Sequence, residues 1–209
     1  MILSAWSDKG GTGKTTAAIL AAAHFKAPLL DLDPQGDAAR WAEKGGHPCE
    51  RLALESAATQ ARLIAAAESP ELHVVDCPPG RDGVAGMAFA QLVLVPTRSG
   101  DADLVALARA LALVRTVQEN GNPGLEVAVV LNAIRETGRA RGVSQGLRVG
   151  SGYKYLGEIK ERLVYEEAYS AGVGVAALGG AATDEVAGIM NKISELLFPA
   201  FDSAANTAS

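Results

Sequence analysis

The chain has 209 residues, 48% of them hydrophobic and 21% charged, and a net charge of −5. These values suit one globular domain with a substantial core, expected over residues 1–200 with a short polar tail at 201–209. Two cysteines, Cys49 and Cys77, form no CxxC pair, which speaks against a disulfide framework or zinc site and for the cytoplasm. The first residues lack a secretory pattern, and no apolar run approaches the ~18 residues of a membrane span.

In chain order, a strand is predicted at 2–6. The run Ser7-Asp8-Lys9-Gly10-Gly11-Thr12-Gly13-Lys14-Thr15-Thr16 follows it, and an alanine-rich helix at 14–25 comes next. Glycines let the backbone curl until several N–H groups face one point, and a helix N-terminus adds its positive dipole end. This is the design of a phosphate-binding loop. Lys14 supplies a cation for β- and γ-phosphates, and the Thr15 hydroxyl is placed to coordinate Mg²⁺. Lys9, Gly10, Gly11, Thr12, Gly13, Lys14, Thr15 and Thr16 are therefore the candidate ATP-binding residues. Asp8 stands where the usual GxxxxGK[ST] pattern has its first glycine, and a lysine, Lys9, takes the second place. The bland alternative is a glycine-rich turn with a chance GKT. The strand before the run and the helix after it favour the loop.

The next strand, 28–32, runs into Asp31-Leu32-Asp33-Pro34. A carboxylate at that strand end can hold Mg²⁺ through water or orient an attacking water; it can also be a plain turn aspartate before proline. Asp33 takes the functional reading and Asp31 a supporting one. Helices are predicted at 37–44 and 56–68. The apolar strand 72–76 ends on Asp76, a metal-holding pattern, and Pro78-Pro79-Gly80 makes a rigid turn beyond it. Cys77 reads as a buried small residue. A strand at 92–96 and a helix at 103–119 follow. The strand at 126–131 precedes Asn132, whose amide offers one donor and one acceptor to an adenine edge, or serves a turn.

Between Asn132 and Tyr155 lie Arg135, Arg139, Arg141, Arg148 and Lys154 against one acid, Glu136. The segment 138–152 is glycine- and arginine-rich and reads as a loop with one short helix. Arg135, Arg139, Arg141, Arg148 and Lys154 are candidates for nonspecific DNA contact, or an ordinary solvated face. A strand at 155–159 and a helix at 183–197 complete the reading. Short strands apolar on both faces, alternating with helices, predict a doubly wound, mostly parallel α/β sheet flanked by helices in three layers.

KGGTGKTT at 9–16, DLDPQGDAARW at 31–41, VVDCPPG at 74–80, VLVPT at 93–97, VVLN at 129–132 and LGEIKERLVYEEA at 156–168 together resemble the ParA/MinD group of deviant-Walker ATPases. The short chain opening on strand one is similar to small plasmid-type partition ATPases. The resemblance implies a P-loop fold, Mg²⁺ and ATP as cofactors, and a homodimer that sandwiches nucleotide. Lys9 would reach the partner's phosphates, while Lys14 and Thr15 would serve their own site. Thr15, Asp33 and Asp76 would hold the metal, partly through water, with Lys9, Lys14 and Asp33 catalytic. It further implies slow hydrolysis stimulated by a centromere-binding partner, nonspecific DNA binding, and nucleoid association of the ATP-bound form. Other readings on the same fold are a MinD-like or other positioning ATPase for a protein cargo, a metal-cluster carrier, or an ATP-dependent ligase. The acids Glu195 and Asp202 near the C-terminus argue against a membrane-binding basic helix.

Overall fold

The computed structural model describes residues 1–199. Seven strands form one sheet: β1 (Ile2–Ala5), β2 (Leu29–Asp31), β3 (Cys49–Arg51), β4 (His73–Asp76), β5 (Leu92–Thr97), β6 (Glu126–Ile134) and β7 (Lys154–Lys160). Their order is β3-β2-β4-β1-β5-β6-β7, and every pairing is parallel. From β1 the chain moves out to β2 and the edge strand β3, returns to β4 between β2 and β1, and then crosses to β5 and moves out through β6 to β7 on the other side. A parallel sheet with this reversal concentrates ligand-binding loops at the carboxyl ends of its central strands.

The helices are α1 (Lys14–Phe25), α2 (Asp37–Gly45), α3 (Ala57–Glu68), α4 (Val84–Met87), α5 (Asp101–Asn120), α6 (Gly138–Val149), α7 (Leu163–Ala171) and α8 (Ala181–Leu197). Alternate residues of each central strand feed two separate cores. Leu29, Val74, Leu92, Leu94, Ala128 and Val130 pack with α1, α2 and α8. Leu30, Val75, Val93, Val95, Val127 and Val129 pack with α3, α5 and α6 on the other face. This is the three-layer arrangement that two-faced apolar strands require.

Four elements were missed or only partly read from the sequence: β3, the four-residue helix α4, α7 and the full extent of α6. The edge strand β3 is Cys-Glu-Arg and largely exposed, so it has no apolar run to read. The helix α7 was covered only by a motif match. The segment 138–152 is mostly one twelve-residue helix, α6, started by Thr137, whose hydroxyl accepts from the Ala140 N–H at 3.1 Å. The tail expected at 201–209 lies outside the described residues. Among the described residues no helix is long and apolar enough to cross a membrane.

Trp41 ties α2 to the rest of its layer. Its ring is fully buried, and its Nε1–H donates to the Val173 carbonyl at 3.2 Å. Trp41→Ala empties that site and strands the carbonyl. It should cost about 3–5 kcal/mol in equilibrium urea unfolding. A loss under ~1 kcal/mol would show that α2 is held elsewhere.

Candidate nucleotide site

The loop leaves β1 at the sheet's centre and turns into α1. Gly11 and Gly13 adopt φ of +75° and +103°, left-handed values that a side chain resists. Gly13 has a second constraint: a β-carbon there would collide with the Asn132 amide. The start of α1 has no side-chain cap, so its first N–H groups remain for a ligand. Within the loop, the Ser7 hydroxyl donates to the Lys9 carbonyl at 2.8 Å and lies 2.7 Å from the Thr12 hydroxyl.

Gly10, Gly11, Gly13, Lys14, Thr15 and Thr16 line a cleft of about 490 Å³ with Asp33, Pro34, Gln35, Asp37, Pro78, Pro79 and Asp82. The structure thus gathers most of the predicted site. Lys14 is buried there, at 6% exposure. Trp6 braces the opposite wall, its Nε1–H donating to the Gly80 carbonyl at 2.9 Å beyond the Pro78-Pro79 turn.

Three carboxylates divide the work. Asp31 is structural: its oxygens accept from the Asp33 N–H at 3.0 Å and the Ala39 N–H at 2.9 Å, while burial raises its pKa. Asp33 is half-buried on the cleft wall. One oxygen accepts from the Gln35 N–H at 3.0 Å, so it is a turn aspartate and a cleft residue at once. Asp76, at the end of β4, is fully buried, and neither oxygen has a hydrogen-bond partner among the described residues. Burial pushes its pKa up to about 7, against the pull of the neighbouring Thr15 hydroxyl and Lys14, with Asp31 and Asp33 adding to the rise.

An orphaned buried carboxylate beside Thr15 and Lys14, facing an uncapped helix start, fits a polyphosphate carrying a divalent cation. The thiols suit a metal less well. Burial pushes the Cys49 thiol up to about 12 and that of Cys77 higher still, which favours thiol over thiolate.

Asn132 sits inside β6, not at its end. The register against β7 slips between Leu131 and Ile134, and Ala133 takes a left-handed φ of +51°. Such irregularities re-aim side chains. Here the Asn132 amide donates to the Thr12 carbonyl at 2.8 Å and clamps the loop to the sheet. Its remaining polar positions face a second cavity of about 240 Å³, lined by Gly11, Gly13, Thr16, Arg98, Lys160, Arg162 and Tyr165 among others. Sequence reasoning gave these last four no role, although Arg98 and Lys160 lie at the carboxyl ends of β5 and β7, where such a fold binds its ligands.

Two predicted groups are placed otherwise than their sequence proximity implied. Lys9 does not line the cleft; its ammonium donates to Asp103 of α5 at 2.6 Å. The five basic residues do not share one face. Arg135 is bound to Glu161, and Arg139 to Asp101 and the Ser99 carbonyl. α6 then runs antiparallel to the strands for about 18 Å. Arg148, stacked 5.4 Å from the Tyr155 ring centre, and Lys154 therefore sit at the other end of the sheet from Arg135, Arg139 and Arg141.

Fold and cleft define a P-loop nucleotide-binding domain with an additional lysine at the deviant position. A family model described as the CobQ/CobB/MinD/ParA nucleotide binding domain matches residues 3–175, and the chain belongs to that family. This places it among the P-loop nucleotide-binding proteins related to MinD and ParA. It is 36% identical to the "Maintenance of carboxysome distribution protein A" of Gloeobacter kilaueensis over 51% of this chain and 53% of that protein. It is 30% identical to the "Chromosome-partitioning ATPase Soj" of Thermus thermophilus over 60% of this chain and 66% of that one. The matches thus span between half and two thirds of these relatives. The Cyanothece McdA(D38A)-ATP complex has the same fold, with a TM-score of 0.71 at 19% identity over 94% of this chain and 95% of that one.

The raised pKa of Asp76 has a thermodynamic consequence. Between its unfolded value of 3.8 and about 7, the folded chain holds a proton that the unfolded chain has released. Stability of the metal-free chain therefore falls as pH rises through that window. Asp76→Asn removes the buried charge. It should raise the melting temperature in EDTA by several degrees at pH 8, with the gain vanishing towards pH 4. A gain independent of pH would refute the buried-charge account.

Proposed function

We propose that this chain is a partition or positioning ATPase that binds Mg-ATP in the cleft and closes into a dimer of two copies around the nucleotides. The observation that carries the reading is the placement of Lys9. The cleft already has its own cation in Lys14, and the second loop lysine stands outside it, half-exposed at the rim. A cation at the rim is suited to another copy's phosphates, where it stabilises charge as an arginine finger does.

In this reading the loop N–H groups and Lys14 hold the β- and γ-phosphates. Thr15, Asp33 and Asp76 hold Mg²⁺, partly through water, and the cation neutralises phosphate charge. Asp33 orients water, and Asn132 keeps the loop in register while offering its free positions to the base. Hydrolysis is slow until a centromere-binding or adaptor protein stimulates it. The two curated relatives, one named for carboxysome distribution and one for chromosome partitioning, support a positioning task.

Lys14→Ala should weaken ATP binding at least tenfold by calorimetry. Lys9→Ala should leave affinity within about threefold of wild type yet abolish turnover, and Asp33→Ala should accumulate an ATP-dependent dimer by light scattering. Wild-type turnover in Lys9→Ala would sink the trans role.

The dimer is further proposed to bind DNA nonspecifically, two copies of the cations adding through multivalency. Among the described residues Arg141, Arg148 and Lys154 pair with no acid, whereas Arg135 and Arg139 are already paired. Arg148→Glu with Lys154→Glu should weaken DNA retention and flatten its dependence on salt, by about one unit of log–log slope per lost phosphate contact. Arg135→Glu should do less. Unchanged retention in the double variant would move the DNA surface elsewhere. Absence of retention in the wild type would favour the second reading, a positioning ATPase for a protein cargo, a task in keeping with the name of the carboxysome-distribution relative.

A further inference from the structure

The helix α8 reaches the cavity beside Asn132 through one carboxylate. Glu185 does not line that cavity, yet it holds three residues that do. Its Oε1 accepts from the Lys160 N–H at 2.6 Å and from the Tyr165 hydroxyl at 3.0 Å. Its Oε2 accepts from Arg162 Nη2 at 3.2 Å. The end of β7, the turn after it and the first turn of α7 thus converge on a single side chain.

Each donor has a reason to need this acceptor. β7 is an edge strand, so alternate N–H groups point away from the sheet and must be satisfied elsewhere. Burial and the facing carboxylate push the Tyr165 pKa up, which keeps its hydroxyl a donor. Arg162 brings a charge, and its Nε is buried without a partner among the described residues. The Glu185 side chain is 12% exposed, so its charge-assisted bonds are shielded from water. The other ion pairs of this wall, Arg135–Glu161 and Lys160–Glu136, are far more exposed and hold it weakly.

We propose that Glu185 is the positioning residue of the base-binding cavity: from behind the wall it fixes Lys160, Arg162 and Tyr165 where the cavity meets the base of a bound nucleotide. The inference rests on the reading above that the base lies beside Asn132. The site is then divided by chemistry. The loop N–H groups and Lys14 hold the phosphates in the first cleft, which none of the residues held by Glu185 lines. The base is held by a wall whose shape depends on α8. Loss of Glu185 therefore weakens recognition of the base and leaves recognition of the bare phosphates intact.

The test compares two probes on the full chain with Mg²⁺: ADP, and inorganic pyrophosphate, which has the same two phosphates and no base. Melting-temperature titration reads both, the weaker one at millimolar concentration. Wild type should bind ADP the more tightly. Glu185→Ala should weaken ADP about five- to thirtyfold and leave pyrophosphate within about twofold. Glu185→Gln keeps an acceptor for Lys160 and Tyr165 but turns an amide donor towards Arg162, so it should weaken ADP about three- to tenfold with pyrophosphate again unchanged; it carries the comparison if the alanine variant does not fold. Equal losses for both probes overturn the proposal, because Glu185 then serves the fold at large. Unchanged ADP affinity in either folded variant overturns it too, and the base reading then survives. A wild type that binds the two probes equally takes down the base reading itself, and this inference with it.

Discussion

At the end of the central strand β4, the carboxylate of Asp76 is fully buried with both oxygens unpartnered among the described residues. Such a group costs several kcal/mol unless it is neutralised or meets a cation. The neighbouring features answer that cost. Thr15 and Lys14 stand beside it, α1 begins without a side-chain cap, and the Pro78-Pro79 turn is held rigid by Trp6. The domain thus carries an electrostatic deficit at its centre, and in the proposed Mg-ATP complex a phosphate-bound cation would relieve it and couple the stability of the fold to nucleotide binding.

The loop around that deficit is held from outside itself. Asn132 clamps the Thr12 carbonyl from β6, and α5 holds Asp8 and Lys9 by their charges. Both anchors come from the β5 side of β1, so a movement of β6 or α5 is felt at the loop. The clamp at Asn132 relies on local irregularity, a slipped register and a left-handed Ala133, which turns an amide inside a strand onto the loop. Strain of this sort persists where the surroundings over-determine it.

The basic segment shows how linear charge counts mislead. Five cations within a short stretch read as one patch. Folding converts the stretch into a strand end, a helix and a strand start, separating the charges by the length of α6 and pairing two with acids contributed by other elements. Ion pairs as exposed as Arg135–Glu161 contribute little stability, but they lower the charge left for a polyanion.

The amino-acid sequence by itself determined the sheet's central strands, the helix after the loop, and the residues Lys14, Thr15, Asp33 and Asp76 as one constellation. It did so because these depend on local features: two-faced apolar runs, glycines where the backbone must curl, and acids at strand ends. It also marked Lys9 as unusual. Only the tertiary structure decided where Lys9 points, what Asn132 holds, that Asp33 serves a turn and the cleft together, and which arginines remain free. Each of these depends on a partner distant in the chain, ninety-four residues away for Asp103 and 120 for Thr12. A hydrogen bond or ion pair of that kind leaves no periodic trace in the sequence, because it is set by which strand ends the winding of the sheet brings together.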